Sequence, residues 1–116
     1  MAKSSGFELI VAIVNAGYSS VVMDAVSEVG ARGGTVLHAH GTANKEAEAF
    51  FHISIQHEKD AVLLVVPSTI KDEALHAIYQ KAGQSTDAQG IAFSMTVSDA
   101  VGLNFPQQTK EVKNEK

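Results

Sequence analysis

The stretch FELIVAIVN, residues Phe7–Asn15, points to the fold of this chain. It is nearly all apolar and rich in β-branched residues, which is typical of a β-strand. Successive side chains of a strand point to opposite faces, and apolar residues occupy both faces of this one. The two apolar sets are Phe7, Leu9, Val11 and Ile13 on one face and Ile10, Ala12 and Val14 on the other. The stretch therefore predicts a strand that is covered on both faces.

The segment after this strand has the pattern of a helix followed by a second strand. Ser19 or Ser20 can cap the helix, and Gly30 stands where a left-handed residue would end it. The helix has a single apolar stripe, as expected when one side packs on a sheet. The stripe consists of Val21, Val22, Ala25, Val26 and Val29. A strand from Thr35 to His40 is expected next, then a small polar segment from Gly41 to Glu48.

The second half of the chain repeats the order of strand and helix. AVLLVV, Ala61 to Val66, is a short apolar run that predicts a buried strand. A helix capped by Ser68 or Thr69 follows it, and the last strand is predicted from Ile91 to Val97. Phe50 to Gln56 alternates in polarity and indicates a further strand or a hairpin arm.

Glycines end both predicted helices and indicate a doubled unit. Gly30 and Gly83 lie 53 residues apart (83 − 30 = 53), and each follows a strand and a helix and precedes a loop and a strand. This order is the βαββαβ plan of the ferredoxin-like fold, an α+β architecture with an antiparallel sheet and two helices on one face. Residues 7–103 are expected to form this domain, and residues 104–116 a polar tail. Because the helices cover one face only, the second apolar face predicts a cover from another subunit.

The composition limits the classes of protein to which this chain can belong. With 116 residues, of which 45% are hydrophobic and 19% charged, it has the size and balance of one globular domain. The absence of cysteine excludes disulfide scaffolds, thiolate metal sites and cysteine nucleophiles. A net charge of −4 and a single arginine argue against nucleic acid as a partner. No apolar run is long enough to span a bilayer and no signal-peptide pattern is present, so we expect a cytoplasmic protein without membrane insertion.

The loop between the first helix and the second strand, Gly30 to Gly34, admits two interpretations. It is a tight turn into a strand, or a place where the backbone approaches a ligand. In the second interpretation Gly33 and Gly34 allow the approach, and Thr35 offers its hydroxyl. Neither the dinucleotide-binding GxGxxG pattern nor the P-loop pattern occurs in the chain.

His38 and His40 stand at positions i and i+2 of the second predicted strand, so both side chains point to the same face. This spacing suits two metal ligands, to which His52 and His57 could be added. Such a pair more often lines an interface or a polar cavity, so no metal ligand is assigned from the spacing. No arrangement of nucleophile, base and acid is found either, and no catalytic residue is predicted.

Three stretches resemble one family in their order and spacing. EVGARGGTVLHAHG (Glu28 to Gly41) is similar to the EVGxxGMTVxxVxG of the PII signal-transduction, or nitrogen regulatory, proteins. EKDAVLLVV (Glu58 to Val66) is similar to the family's PKVKIEIVV, and GIAFS (Gly90 to Ser94) to its GKIFV. The resemblance covers roughly residues 7 to 103 and implies a divergent, PII-like member.

The resemblance implies a fold, a ligand class and a type of partner. PII proteins are homotrimers of ferredoxin-like subunits that bind ATP or ADP in clefts between subunits, so the expected ligand here is ATP, ADP or AMP. Their long T-loop contacts a regulated enzyme or membrane transporter of nitrogen and carbon metabolism, and 2-oxoglutarate tunes that contact. A regulatory role, and not an enzymatic one, is thus implied.

By the same resemblance, the residues expected around the ligand fall into four groups. They are Ile13, Thr35 and Val65 near an adenine; Gly41, Thr42 and Ala43 at the base of the T-loop; Lys59 on the family's lysine; and Ala88, Gln89 and Gly90 in the phosphate-side B-loop.

The sequence departs from the PII pattern at the positions that hold phosphates. Ile91 replaces the lysine of the B-loop, and AVGLNF (Ala100 to Phe105) lacks the two arginines of the family's C-terminal loop. The T-loop is also short, since Lys59 follows Gly41 by only 18 positions (59 − 41 = 18). Three outcomes therefore stay open for that cleft: a less charged adenine nucleotide such as AMP or ADP, another small anion, or no ligand.

Two other functions stay open on the sequence. The first is a trimeric metal-binding protein resembling CutA, with His38 and His40 as ligands. The second is a small ferredoxin-like enzyme or an amino-acid-binding domain of the ACT type.

Overall fold

The computed structural model describes residues 5–42 and 57–103, which contain four strands and two helices. The strands are β1 (Phe7–Asn15), β2 (Thr35–His40), β3 (Glu58–Pro67) and β4 (Ile91–Val97). The helices are α1 (Ser19–Ser27) and α2 (Lys71–Ala82), and a short 3₁₀ turn, Ser68–Ile70, precedes α2. The predicted strand at residues 50–56, the polar tail at 104–116 and Ala43 lie outside the described residues.

The four strands form one antiparallel sheet in the order β2-β3-β1-β4. β1 lies in the centre and pairs with β3 on one side and β4 on the other, with Ile10 opposite Leu64 and Ser94. β2 pairs with β3 at the edge, with His38 opposite Asp60. This topology confirms the predicted ferredoxin-like α+β fold.

The core lies between the sheet and the two helices. The alternate residues of β1 and β3 that face the helices are fully buried, and they pack against apolar residues of both helices. The strands contribute Ile10, Ala12, Val14, Val62, Leu64 and Val66, and the helices contribute Val22, Val26, Ala74 and Ile78. We call this side of the sheet the helix face.

The end of α1 confirms the prediction made for Gly30. Gly30 has a φ of +107°, and two backbone hydrogen bonds close the last turn around it: Ala31 N–H donates to Val26 O at 3.0 Å and Gly30 N–H to Ser27 O at 3.2 Å. These are the two bonds of a Schellman motif, which satisfies carbonyls that the helix end leaves without partners.

The predicted serine and threonine caps are wrong at both helices. The residue at the N-cap of α1 is Tyr18 and that of α2 is Ile70, and neither makes a side-chain capping bond. Ser68 and Thr69 lie in the 3₁₀ turn before α2. Asp72 and Glu73 in the first turn of α2 carry negative charge where the helix dipole favours it.

The opposite side of the sheet, which we call the open face, carries large apolar side chains that no described residue covers. In β1 and β3 these side chains are half-buried by their neighbours within the sheet. On the outer strands they are more exposed: Leu37 in β2 and Ile91, Phe93 and Met95 in β4. The chain thus has an apolar surface on the face that its own helices leave uncovered.

Candidate functional site

A polar cluster lies at one end of the sheet, around the side chain of Asn15. Asn15 is only 6% exposed and ends the central strand β1. Its Nδ2 donates to Asp87 O at 3.0 Å and contacts Gln89 Oε1 at 3.4 Å. Its Oδ1 accepts a hydrogen bond from Lys59 Nζ at 2.8 Å. One buried amide thus joins the start of β3 to the loop between α2 and β4.

That loop is held by backbone contacts on both sides. Asn15 N–H donates to Ala88 O at 2.9 Å, and Gly90 N–H donates to Ala82 O at 2.7 Å. Gln89 has a φ of +48°, a left-handed conformation that is uncommon for residues other than glycine. Gly90 packs so closely against Ala82 O and Val14 that a β-carbon at this position would clash with both. The loop conformation is therefore fixed by packing as well as by hydrogen bonds.

Gly41 joins the cluster from the edge strand β2, which it follows directly. Its N–H donates to His57 O at 2.6 Å, which brings together the two ends of the segment that connects β2 to β3. A β-carbon at Gly41 would lie 3.2 Å from Cε of Lys59, so the aliphatic part of the Lys59 side chain packs against the backbone of Gly41. We call Asn15, Gly41, Lys59 and residues 88–90 the sheet-end cluster.

Lys59 provides the positive charge of the sheet-end cluster. Its hydrogen-bond partner is the neutral amide of Asn15, so the ammonium charge is oriented and not neutralised by that contact. Position 91, where the PII resemblance expects a lysine, carries Ile91, which is 50% exposed. Among residues 87–103 there is no lysine or arginine. The cluster can therefore hold an anion through the ammonium group of Lys59. The backbone N–H groups of Asn15, Gly41 and Gly90 already donate to protein carbonyls.

The structure places only some of the predicted ligand residues in this cluster. Ile13 lies next to it on the open face, between Ala61 and Ile91. Thr35 and Val65 also belong to the open face but lie farther along the strands: Thr35 is opposite Leu63, four positions along β3 from Lys59, or about 13 Å at the rise of a strand. Thr42 is exposed beside Gly41.

Gly34 has a structural role that explains its presence without a ligand. A β-carbon there would lie 2.6 Å from Cδ2 of Leu64 and 2.9 Å from the carbonyl oxygen of Leu63. The glycine thus allows the chain to enter β2 in close contact with β3. Gly33 has open space around it.

His38 and His40 lie on the helix face of the edge strand, away from Lys59. His38 Nδ1 lies 3.0 Å from Oδ1 of Asp60, which is buried, and the other oxygen of Asp60 accepts a hydrogen bond from Gly17 N–H at 3.1 Å. The Gly17 N–H and the contact with His38 hold the pKa of Asp60 below its usual value, against the opposing effect of burial. Asp60 is thus a carboxylate that ties β2 and β3 to the turn before α1.

His40 has a similar but looser partner. Its Nδ1 lies 3.5 Å from Oε2 of Glu58, and its ring centroid lies 5.7 Å from that of His57 in an edge-to-face arrangement. Within residues 5–42 and 57–103, no three side chains of the metal-binding types converge on one point.

Sequence reasoning missed the two residues that organise these sites, Asn15 and Asp60. Both are polar positions at the end of an apolar run, Asn15 after LIVAIV and Asp60 before AVLLVV. A polar residue at such a position is often buried, and a buried polar side chain needs a hydrogen-bond partner. This requirement was the one sign in the sequence that Asn15 and Asp60 have structural roles. The partners of the Asn15 side chain are 44 or more positions away in the sequence, and those of the Asp60 side chain are 22 and 43 positions away. Only the pairing of the strands identifies these partners.

A groove of about 310 Å³ lies beside the cluster, between α2 and β4. Its lining is mainly apolar, with Leu75, Ile78, Tyr79 and Ile91 among its walls. Among the described residues that line it, no side chain is charged, so they add no charged group that would bind phosphate.

Comparison with known proteins identifies the family of this chain. The family model described as Nitrogen regulatory protein P-II matches residues 7–104. The chain belongs to the P-II family. This result confirms the resemblance found in the sequence, and it makes the chain a P-II-like signalling protein of a family whose members are regulatory.

Solved P-II structures share the fold of this chain. The Arabidopsis thaliana PII structure bound to citrate is 23% identical, with a TM-score of 0.65 over 85% of this chain and 82% of that one. A Thermus thermophilus protein described as a putative PII-like signaling protein is 14% identical, with a TM-score of 0.60 over 78% of this chain and 85% of that one. A search of curated protein sequences gave no match. No helix in the described ranges is long and apolar enough to cross a membrane.

Proposed function

We propose that this P-II protein senses a small anion of low charge, with AMP or ADP favoured over ATP, and passes the signal to a partner enzyme or transporter of nitrogen or carbon metabolism. It acts as a regulator and not as an enzyme. The observation that carries the proposal is the sheet-end cluster, in which Asn15 bonds to Lys59 and to the loop at 88–90, and Gly41 lies against Lys59.

The charge of the cluster supports the preference for few phosphates. A charged hydrogen bond contributes about 1.5–3 kcal/mol, and a triphosphate needs several to replace its hydration. Lys59 is the one lysine or arginine that the described residues bring to the cluster. A nucleotide with one or two phosphates, or a carboxylate, matches this charge better than ATP.

A homotrimer with ligand clefts between subunits fits the distribution of the predicted ligand residues. In one chain, Thr35 and Val65 lie on the open face and apart from the cluster. An apolar open face gives a second copy a surface to cover, and a cleft between copies would combine the cluster of one with open-face residues of the next. Thr42 and Ala43, at the base of the segment after Gly41, would then transmit occupancy of the cleft to the partner surface.

Calorimetric titration with ATP, ADP and AMP, each with and without 2-oxoglutarate, tests the proposal. We expect AMP or ADP to bind more tightly than ATP. Lys59→Met keeps much of the stem that packs on Gly41 and removes the charge, so it should weaken binding roughly 10- to 100-fold, as the loss of one charged hydrogen bond predicts.

Lys81→Met is the matched control, because Lys81 is an exposed lysine in the last turn of α2. It should bind as the unmodified chain does. The proposal fails if none of the nucleotides binds, or if Lys59→Met and Lys81→Met have the same affinity as the unmodified chain.

A further inference from the structure

The two histidines of β2 take no part in the sheet-end cluster, yet each is paired with a carboxylate of the neighbouring strand. The register of β2 and β3 places His38 opposite Asp60 and His40 opposite Glu58. The distances from Nδ1 to the nearest carboxylate oxygen are 3.0 Å for His38 and 3.5 Å for His40. In both rings it is Nδ1 that faces the carboxylate, so Nε2 is the nitrogen left for another partner.

Asp60 determines which nitrogen of His38 carries the hydrogen. One oxygen of Asp60 accepts from Gly17 N–H at 3.1 Å and the other faces Nδ1 of His38. Because an ionised carboxylate only accepts hydrogen bonds, the shared hydrogen belongs to His38 Nδ1. The neutral ring then carries its lone pair at Nε2.

The pairing of one ring nitrogen with a carboxylate is common among histidines that bind metal ions. A histidine ligand commonly donates its second ring N–H to a carboxylate, which fixes the ring and raises the basicity of the coordinating nitrogen. Side chains at i and i+2 of a strand point to the same side, so both rings are available to one ion. The rings are also open to solvent, with the side chain of His38 91% exposed and that of His40 65% exposed.

We propose that Nε2 of His38 and Nε2 of His40 form a two-histidine site for a divalent transition metal that prefers imidazole, Zn²⁺ or Cu²⁺, with Asp60 and Glu58 orienting the two rings. No third ligand converges from the described ranges, so the remaining coordination positions are open to water or to a group from another molecule. Hard cations such as Mg²⁺ prefer oxygen ligands and are not expected to compete. The site uses no residue of the sheet-end cluster and does not rest on the proposed nucleotide.

Titration of the metal-free chain with ZnCl₂, followed by equilibrium dialysis, tests the site. We expect saturable binding that excess Mg²⁺ does not displace. His38→Ala and His40→Ala should each remove most of it, whereas His76→Ala, on the exposed side of α2, should leave it unchanged. No saturable binding by the unmodified chain, or an equal loss in His76→Ala, would overturn the proposal.

Asp60→Asn tests whether the carboxylate orients the His38 ring for metal binding or whether two exposed histidines bind zinc without it. It leaves both ligands in place and removes the carboxylate, so zinc affinity should fall about 10- to 100-fold. Glu58→Gln, at an exposed position with a longer contact, should have a smaller effect on zinc affinity and should leave the fold intact. The orienting role is overturned if both variants bind zinc as the unmodified chain does. Nitrogen chemical shifts of the His38 ring provide a test without substitution, since a hydrogen on Nε2 in the metal-free chain would contradict the assignment.

Discussion

The two faces of the sheet have similar apolar side chains and opposite surroundings. On the helix face, Leu64 is fully buried under both helices; on the open face its neighbour Leu63 is only half-buried. The difference arises from the position of the helices, since both residues lie in the middle of the same strand. Apolar character therefore does not distinguish a core residue from a surface residue in this chain. In the proposed homotrimer, another copy would cover the open face.

The largest expected effect comes from removing the same side chain on each face. Leu64→Ala should lower the free energy of unfolding by about 2–5 kcal/mol, because a fully enclosed site collapses only partly around the cavity. Leu63→Ala should cost clearly less in an isolated chain, because its side chain on the open face is only half-buried. Urea unfolding of both variants measures the difference, and equal losses would show that the two faces are equally buried in solution.

A substitution at Gly34 probes how tightly the helix face is packed. Gly34→Ala places a methyl group 2.6 Å from Cδ2 of Leu64, so it should destabilise the chain by about 1–3 kcal/mol through overpacking. Gly33→Ala is the matched control, because its β-carbon meets nothing within 4 Å. Thermal unfolding of the pair gives the comparison. Equal melting temperatures would mean that β3 shifts to accommodate the added methyl group without loss of stability.

Asp60 is the buried acid of the helix face, and its contribution depends on pH. Asp60→Asn should cost about 1–2 kcal/mol at neutral pH, since it weakens the bonds to Gly17 N–H and His38. The folded pKa of Asp60 is lowered, so its stabilisation is present above the ordinary value of 3.8 and disappears as the pH falls through the folded pKa. The difference in stability between the variant and the unmodified chain should therefore shrink only as the pH falls below 3.8 and through the folded pKa.

Denaturant unfolding at neutral and acidic pH checks this prediction. Asp24→Asn, at an exposed position of α1, is the control and should follow the unmodified chain at both pH values. A constant difference between Asp60→Asn and the unmodified chain across this range would contradict the role assigned to the carboxylate.

The smallest effect on the stability of one chain is expected on the open face itself. Phe93 is 44% exposed in β4, so Phe93→Asp should change the free energy of unfolding of an isolated chain by about 1 kcal/mol or less. In the proposed homotrimer its effect should appear in assembly, because a charge on an apolar face that another copy covers disfavours the contact. Light scattering of Phe93→Asp should show a mass near that of one chain, 12.3 kDa. Tyr79→Asp, on an exposed aromatic residue of α2, should leave the assembly intact.

The sequence predicted what depends on local patterns and missed what depends on strand pairing. The order of elements, the left-handed Gly30 and the apolar open face follow from periodicity and from glycine. The failed caps show the limit of a local rule: Ser19 and Ser68 are suitable residues, but the helices begin after Tyr18 and Ile70. Of the candidate site, Gly41, Lys59 and the loop at 88–90 were named through the family resemblance. Asn15 and Asp60 were not, because their partners come from other strands and loops.

The central position of β1 has a consequence for how the chain reaches its fold. β1 pairs along its whole length with β3, and Phe7 lies opposite Val97 of β4, 90 positions later in the chain (97 − 7 = 90). Contacts of such long range make folding slow, because closing the long intervening loop loses entropy before the contacts stabilise the chain. On a ribosome that adds about 5–20 residues per second, β4 is synthesised several seconds after the apolar β1. Until then its free edge is a target for chaperones or for another nascent chain.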